Sequence, residues 1–269
     1  MSRISVAIVT LLLANLASAD TVLVTGSNRG IGFQLVSQYA EAGWDVIATS
    51  RTPGDDADLQ ALADERPNIT IEALDVTNVE QIAALSEKYR NASIDVLINN
   101  AGLLGGRDGQ DWGNLSEDVF AQLMAVNVFG PLKVSEAFAN QVANSEQKKL
   151  IVISSTIGSI SRMQRPTPFP LLATSKAAVN MAMRTVAMQL EEQGVRVAMI
   201  MPGLVRTRMT YQAGGMSFEE ASRQTSFDID RPGSISATES ASRIIRVIDG
   251  MDPEKTGVFL NNDGSPIDW

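Results

Sequence analysis

The 269-residue chain contains no cysteine and no histidine. Without cysteine it can hold no disulfide, no thiolate zinc site and no cysteine nucleophile, although a missing disulfide leaves the compartment open. Without histidine it lacks the usual general base of Ser-His-Asp hydrolases and the commonest metal ligand, so no metal site is expected. Aromatic residues make up only 5% of the chain, and its 3 tyrosines are Tyr39, Tyr89 and Tyr211. Basic runs are also missing: 22 Lys and Arg stand against 31 Asp and Glu, a formal charge of −9. Binding to a nucleic-acid backbone draws on clustered cations, so a nucleic-acid partner is not expected. The length suits one compact domain.

Long apolar runs are confined to the N-terminus. Met1-Ser2-Arg3 is a short basic start, residues 4–16 are almost wholly apolar, and Ala17-Ser18-Ala19 is a small-residue cleavage pattern. Residues 1–19 therefore read as a secretory signal peptide, too short for a membrane span of about 20 residues. This implies a secreted, periplasmic or ER-lumenal protein whose mature chain covers residues 20–269. The alternative is an N-terminal extension on a cytoplasmic protein. The triplets Asn68-Ile69-Thr70, Asn91-Ala92-Ser93 and Asn114-Leu115-Ser116 are glycosylation sequons, which chance also supplies.

From Asp20 onward, short β-branched runs alternate with longer helical stretches, the pattern of βαβ units in a parallel sheet. Strands are expected at residues 21–24, 45–49, 69–74, 96–98, 150–154, 195–200 and 258–260. Most are continuously apolar, as strands covered on both faces must be. Thr77 and Glu80 have capping-box spacing and open a helix to about Arg90. Gly43 has the position of a helix C-cap. Residues 209–235, rich in Gly, Ser and Met, read as a mobile loop or short helices over the site.

The first strand runs straight into Thr25-Gly26-Ser27-Asn28-Arg29-Gly30-Ile31-Gly32. A glycine-rich turn between strand and helix lets backbone N–H groups approach a pyrophosphate at the positive helix end. Further along stand Asp75, Asn99-Asn100-Ala101-Gly102, Asn127-Val128-Phe129-Gly130, Ser154-Ser155, Lys176 and Pro202-Gly203 with Thr207. In this order and spacing the chain resembles the classical short-chain dehydrogenase/reductase family, over essentially the whole of residues 20–269. Phe129-Gly130-Pro131, Gly158-Ser159-Ile160 and the ending from Asn262-Asp263-Gly264 to Trp269 are most similar to its C-factor and sniffer-type carbonyl reductases.

The resemblance implies an α/β fold, a single doubly wound Rossmann domain with about seven parallel strands and helices on both faces. It also implies dinucleotide contacts from Thr25, Gly26, Ser27, Arg29, Gly30, Ile31 and Gly32, and from Arg51, Asp75, Asn100, Ala101, Gly102, Lys176, Pro202, Gly203, Val205 and Thr207. Charge then argues for NADP(H). The second strand ends Ala48-Thr49-Ser50-Arg51 without the carboxylate that would bind a ribose 2′-hydroxyl, and Arg29 and Arg51 can grip a 2′-phosphate.

The catalytic set implied by the resemblance is Ser155, Lys176 and Asn127, with a tyrosine four residues before the lysine as proton donor. That position holds Leu172. Leucine cannot transfer a proton, and a positioned acid is worth about 10²–10⁴-fold in rate. Tyr211 is one candidate substitute acid; Lys176 acting with water held by Asn127 or Ser155 is another, because a desolvated lysine has a lowered pKa. Residues 162–170 read as a rim of the pocket.

Two functional classes follow. One is an NADP(H)-dependent oxidoreductase acting on a small carbonyl or alcohol. The other is a non-catalytic NADP(H)-binding protein, a sensor or binding partner. A structural protein that has lost its cofactor is disfavoured by the intact glycine turn. The expected partners are a small-molecule substrate and, as the one macromolecular contact left open, a homo-oligomer.

Overall fold

The computed structural model describes residues 19–213 and 233–269, apart from the side chains of residues 211–213. The proposed signal peptide therefore lies outside the described residues, save Ala19, as do residues 214–232 and the side chain of Tyr211.

The strands form where the apolar runs lie: β1 (Thr21–Val24), β2 (Asp45–Ser50), β3 (Ile69–Ala73), β4 (Val96–Asn99), β5 (Lys149–Ile153), β6 (Arg196–Met201) and β9 (Val258–Asn261). They make one sheet in the order β3-β2-β1-β4-β5-β6-β9, with every pairing parallel. A second, two-stranded sheet pairs β7 (Leu204–Val205) with β8 (Ser234–Ile235). The strand at Ser234 replaces the expected loop, and part of the remainder is a short helix, α7 (Arg208–Ala213).

Alternation along each strand sends neighbouring side chains to opposite faces. Leu23, Leu97, Leu150 and Val197 pack on one side with Ile82 of α3 (Val79–Lys88), Phe138 of α5 (Gly130–Ala143) and Met183 of α6 (Pro170–Leu190). Val22, Val24, Ile98 and Ile200 pack on the other, against Leu35 and Tyr39 of α1 (Gly30–Glu41), Leu59 of α2 (Ala57–Glu65) and Ile244 of α8 (Ala237–Asp249). The protein is thus a helix–sheet–helix sandwich, and the apolar strands are covered on both faces.

Two local readings resolve differently. Gly43, at φ +86°, does end α1: its N–H donates to Ala40 and the N–H of Trp44 donates to Tyr39, the paired bonds of a Schellman motif. The helix after β3, however, is not capped by Thr77. Asp75 captures both the backbone N–H (2.9 Å) and the hydroxyl (2.7 Å) of Thr77, so the cap passes to Asn78, whose side chain accepts from the Gln81 N–H at 2.9 Å. The expected rim is similarly shortened, because Pro170 already occupies the first turn of α6.

Candidate active site

The parallel strands all point their C-terminal ends to one edge of the sheet. The reversal of strand order between β1 and β4 opens a crevice there. The glycine turn between β1 and α1 forms one wall. Gly26 has φ +68°, and a β-carbon on it would come within 2.9 Å of the Ala101 backbone. On Gly32 a β-carbon would lie 2.2 Å from the Gly26 carbonyl oxygen and 2.5 Å from Asn100 Nδ2. No side chain fits either place, so the backbone itself lines the turn.

Thr25 and Asn100 stitch this turn to the end of β4. Thr25 Oγ1 accepts from the backbone N–H groups of Asn100 and Ala101, both at 3.0 Å. Asn100 Nδ2 donates to the carbonyls of Thr25 (2.9 Å) and Gly26 (3.0 Å). Ser27 faces inward: its hydroxyl donates to Val24 and accepts from the Thr49 N–H. These side chains shape the turn and leave its open face to backbone. Ile31, the second residue of α1, is partly buried against the core. At the N-terminus of α1, Arg29 makes no capping bond and the first turn holds no acid, so the helix presents uncapped N–H donors. An uncapped helix start behind a turn with no room for side chains fits a diphosphate group.

The far wall begins at β2. Arg51 is exposed just beyond it. Sequence reasoning missed two residues here. Asp56, six positions past the strand, folds back so that its carboxylate accepts from the Ser50 hydroxyl and from Asn28 Nδ2 (2.9 Å). An acid therefore does stand beside the end of β2, though not within the strand. Arg208 was missed as well. Burial lowers the pKa of Arg29, as do the guanidinium groups of Arg208 and Arg51, against a smaller opposing effect of Asp56. Burial tends to raise the Asp75 pKa, but its two bonds from Thr77 and the nearby Arg51 hold it below the usual value.

The candidate catalytic residues lie between β4, β5 and α6. Asn127 is buried in a π-helical turn, Ala125–Phe129, that joins α4 (Glu117–Met124) to α5. This wider turn aims its amide into the structure, where Oδ1 accepts from the Leu103 N–H (2.7 Å) and Nδ2 donates to the Leu103 carbonyl (2.9 Å) and to Ser175 (3.1 Å). Ser155 caps the turn after β5, accepting from the Ile157 N–H at 3.3 Å. Its neighbour Ser154 is committed elsewhere, donating to Asn180 at 2.6 Å. A β-carbon on Gly158 would sit 2.7 Å from the Lys176 backbone, so this glycine lets the turn press against α6.

Lys176 Nζ donates to the Ile153 carbonyl at 3.0 Å, and a β-carbon on Gly102 would lie 3.9 Å from that Nζ and 3.6 Å from Asn127 Oδ1. The structure thus brings Gly102, Asn127 and Lys176 together. Burial lowers the Lys176 pKa to about 8, and no neighbouring charge contributes to the shift. Leu172 lies one turn before Lys176, where the missed residue Gln110 binds its backbone N–H.

The turn after β6 closes the crevice. Gly203 has φ +96°, the Pro202 carbonyl accepts from Ser240 (2.7 Å) and Asn262 (3.1 Å), and Val205 is buried in β7. Thr207 then reaches the glycine turn: its methyl group would be 3.6 Å from a β-carbon on Gly30.

Comparison with known proteins agrees with this architecture. An uncharacterized oxidoreductase of Schizosaccharomyces pombe is 30% identical over 253 residues, covering 91% of this chain and 96% of the relative. Among solved structures, an NADPH-bound carbonyl reductase from chicken fatty liver superposes with a TM-score of 0.80 at 29% identity, covering 93% of this chain and 99% of that one. A short-chain dehydrogenase/reductase from Burkholderia multivorans with bound NADP gives 0.76 at 28% identity, covering 93% and 100%. The family model described as short chain dehydrogenase matches residues 20–216, and the chain belongs to that family.

Proposed function

We propose that the protein is an NADP(H)-dependent oxidoreductase acting on a small carbonyl or alcohol, in the manner of the carbonyl reductases. The observation that carries the reading is the position of Lys176, a desolvated amine with a pKa of about 8 beside Gly102 and Asn127, at the edge of the crevice. The bound dinucleotide would supply or accept hydride. The glycine turn and the start of α1 hold its diphosphate, Arg51 and Arg29 face its 2′-phosphate, and Lys176 with Thr207 brackets the nicotinamide half. Ser155 orients the substrate oxygen. Asn127 fixes the loop at Leu103 and, through Ser175, the first turns of α6.

With leucine at position 172, Lys176 is the group suited to give the substrate oxygen its proton, because an amine near pKa 8 is poised for transfer around neutral pH. The bound NADPH and NADP of the two superposed structures support the cofactor choice. A cofactor titration and carbonyl-reduction screen on residues 20–269 tests the reading; NADPH binding without turnover of any carbonyl would favour the second reading, a non-catalytic NADP(H)-binding protein, which Leu172 supports.

We further infer export through residues 1–19. N-terminal sequencing of the mature protein should begin at or near Asp20, and intact Met1 protein recovered from the cytosol would defeat the idea. Among the described residues no helix is long and apolar enough to cross a membrane.

A further inference from the structure

The surroundings of the three sequons differ. Asn68, just before β3, is already committed: its Nδ2 donates to the carbonyls of Ala40 (2.9 Å) and Trp44 (2.8 Å). A sugar on that nitrogen would take away one of the two hydrogens and would have to fit into the turn between α1 and β2. Asn91 and Asn114 are exposed, and among the described residues neither side chain makes a hydrogen bond. Each also has an aromatic residue two positions before it, Tyr89 and Trp112.

Those two rings are in opposite states. Tyr89 packs against the core, its hydroxyl donates to Glu72 at 2.7 Å, and Lys88 lies 5.7 Å from its ring centroid. Trp112 is 92% exposed. The backbone holds it there: the Asn114 N–H donates to the Asp111 carbonyl (2.8 Å) across a tight turn with Gly113 at φ +98°, and the Ser116 N–H closes the loop onto the Gly109 carbonyl (2.8 Å). Trp112, Gly113 and Leu115 line an open hollow of about 340 Å³. The C–H groups on the face of a pyranose pack well on the electron-rich face of an indole ring.

We propose that Asn114 is an N-glycosylation site and that Trp112 is the platform on which its first sugar ring rests. The site is independent of the oxidoreductase reading and rests on export through residues 1–19, into the endoplasmic reticulum. The donor there is an oligosaccharide joined through its anomeric carbon to a polyprenyl diphosphate. Asn114 Nδ2 bonds to that carbon, the carbon–oxygen bond to the diphosphate breaks, Nδ2 gives up one proton and the polyprenyl diphosphate leaves, with nothing oxidised or reduced. The fold keeps all its hydrogen bonds, because none of them uses the Asn114 amide, and the sugar covers an indole otherwise left in water.

The full chain, secreted from a eukaryotic host with its own residues 1–19 or with a borrowed signal peptide in their place, tests this. Mass spectrometry of the sequon peptides should find glycan on Asn114, less on Asn91 and none on Asn68, and Asn114→Gln should lose the main glycoform. Quenching of tryptophan fluorescence by acrylamide reads the platform: enzymatic removal of the glycan should steepen it in the unmodified protein and leave it unchanged in Trp112→Leu. A bare Asn114 in protein delivered by the borrowed leader overturns the site, and quenching that ignores glycan removal overturns the platform. Quenching of the sugar-free protein that weakens as its concentration rises would assign the Trp112 patch to a contact between copies, which also overturns the proposal. Intact Met1 and no glycan with the chain's own leader, beside glycan on Asn114 with the borrowed one, would sink the export reading alone.

Discussion

Gln110 Oε1 accepts a hydrogen bond from the backbone N–H of Leu172 at 3.0 Å, so a fully buried amide on the loop after β4 caps the start of the helix that carries Lys176. The same amide donates to the carbonyls of Leu104 (2.9 Å) and Gly106 (2.5 Å). N–H groups in the first turn of a helix have no partner within it, and Pro170 at the helix start supplies none. Gln110 therefore ties the loop to α6 from both ends of its side chain. Gln110→Leu, similar in size but unable to bond, should lower stability by about 1–3 kcal/mol in chemical denaturation, the cost of leaving buried polar groups unmatched. An unchanged midpoint would show that water takes over the bonds.

Placing an acid at position 172 is a direct test of the proposed site. Leu172 and Lys176 lie four residues apart on α6 and share one side of the helix. Leu172→Tyr should raise NADPH-dependent reduction of an activated carbonyl by about 10²-fold or more. Steady-state rates at saturating NADPH decide it. No gain despite tight NADPH binding would mean that the surroundings of the site have changed by more than this one residue.

The pH dependence follows from Lys176. Its pKa falls from 10.5 in the unfolded chain to about 8 in the folded one, so between those values the unfolded chain holds the extra proton. Stability must rise with pH where the unfolded state binds more protons. The unfolding free energy of the unmodified protein, minus that of Lys176→Met, should therefore increase from about pH 8 to pH 10.5 and level off above it. Reduction by the unmodified protein should decline above about pH 8 as the proton donor is lost; a flat profile there would move the acid elsewhere, and Tyr211→Phe would then be the variant to assay.

Cofactor choice turns on a contest between Arg51 and Asp56 at the end of β2. With Asp56 bonded to Ser50 and Asn28, the guanidinium groups prevail in our reading. NADPH should bind at least tenfold more tightly than NADH, about 1.4 kcal/mol, in a direct titration. Asp56→Asn, which keeps the size and removes the charge, should widen that gap. Equal affinities in the unmodified protein would mean that the carboxylate receives the ribose.

The sheet was legible in the sequence to within a residue at most strand ends because buried parallel strands are continuous apolar runs, a signal carried by each segment alone. The glycine turn was equally plain, since backbone crowding at Gly26 and Gly32 leaves no other residue type room. Asp56, Gln110 and Arg208 were not legible. Each acts by returning to a distant segment, Asp56 to Ser50 and Asn28, Gln110 to α6, Arg208 to the turn at Arg29, and no local pattern records such a return. The π-helical turn at Asn127 is invisible for a related reason: its neighbours keep helical periodicity on either side. Thr77 shows the converse error, a correct local motif overruled when Asp75 claimed both of its donors.

The place of β1 inside the sheet, between β2 and β4, also bears on the order in which the chain is made. β1 is the first strand to be synthesised among those described, yet it completes its pairing only with β4, whose Val96 lies opposite Val22. Until residues 96–99 have emerged, one edge of Val22, Leu23 and Val24 stays open, although all three are fully buried in the finished protein. Contacts so distant in sequence form slowly, because a long loop must close before they contribute. The growing chain therefore carries one unpaired edge of an interior strand until β4 has emerged, and an edge of that kind is open to capture by another strand in the interval.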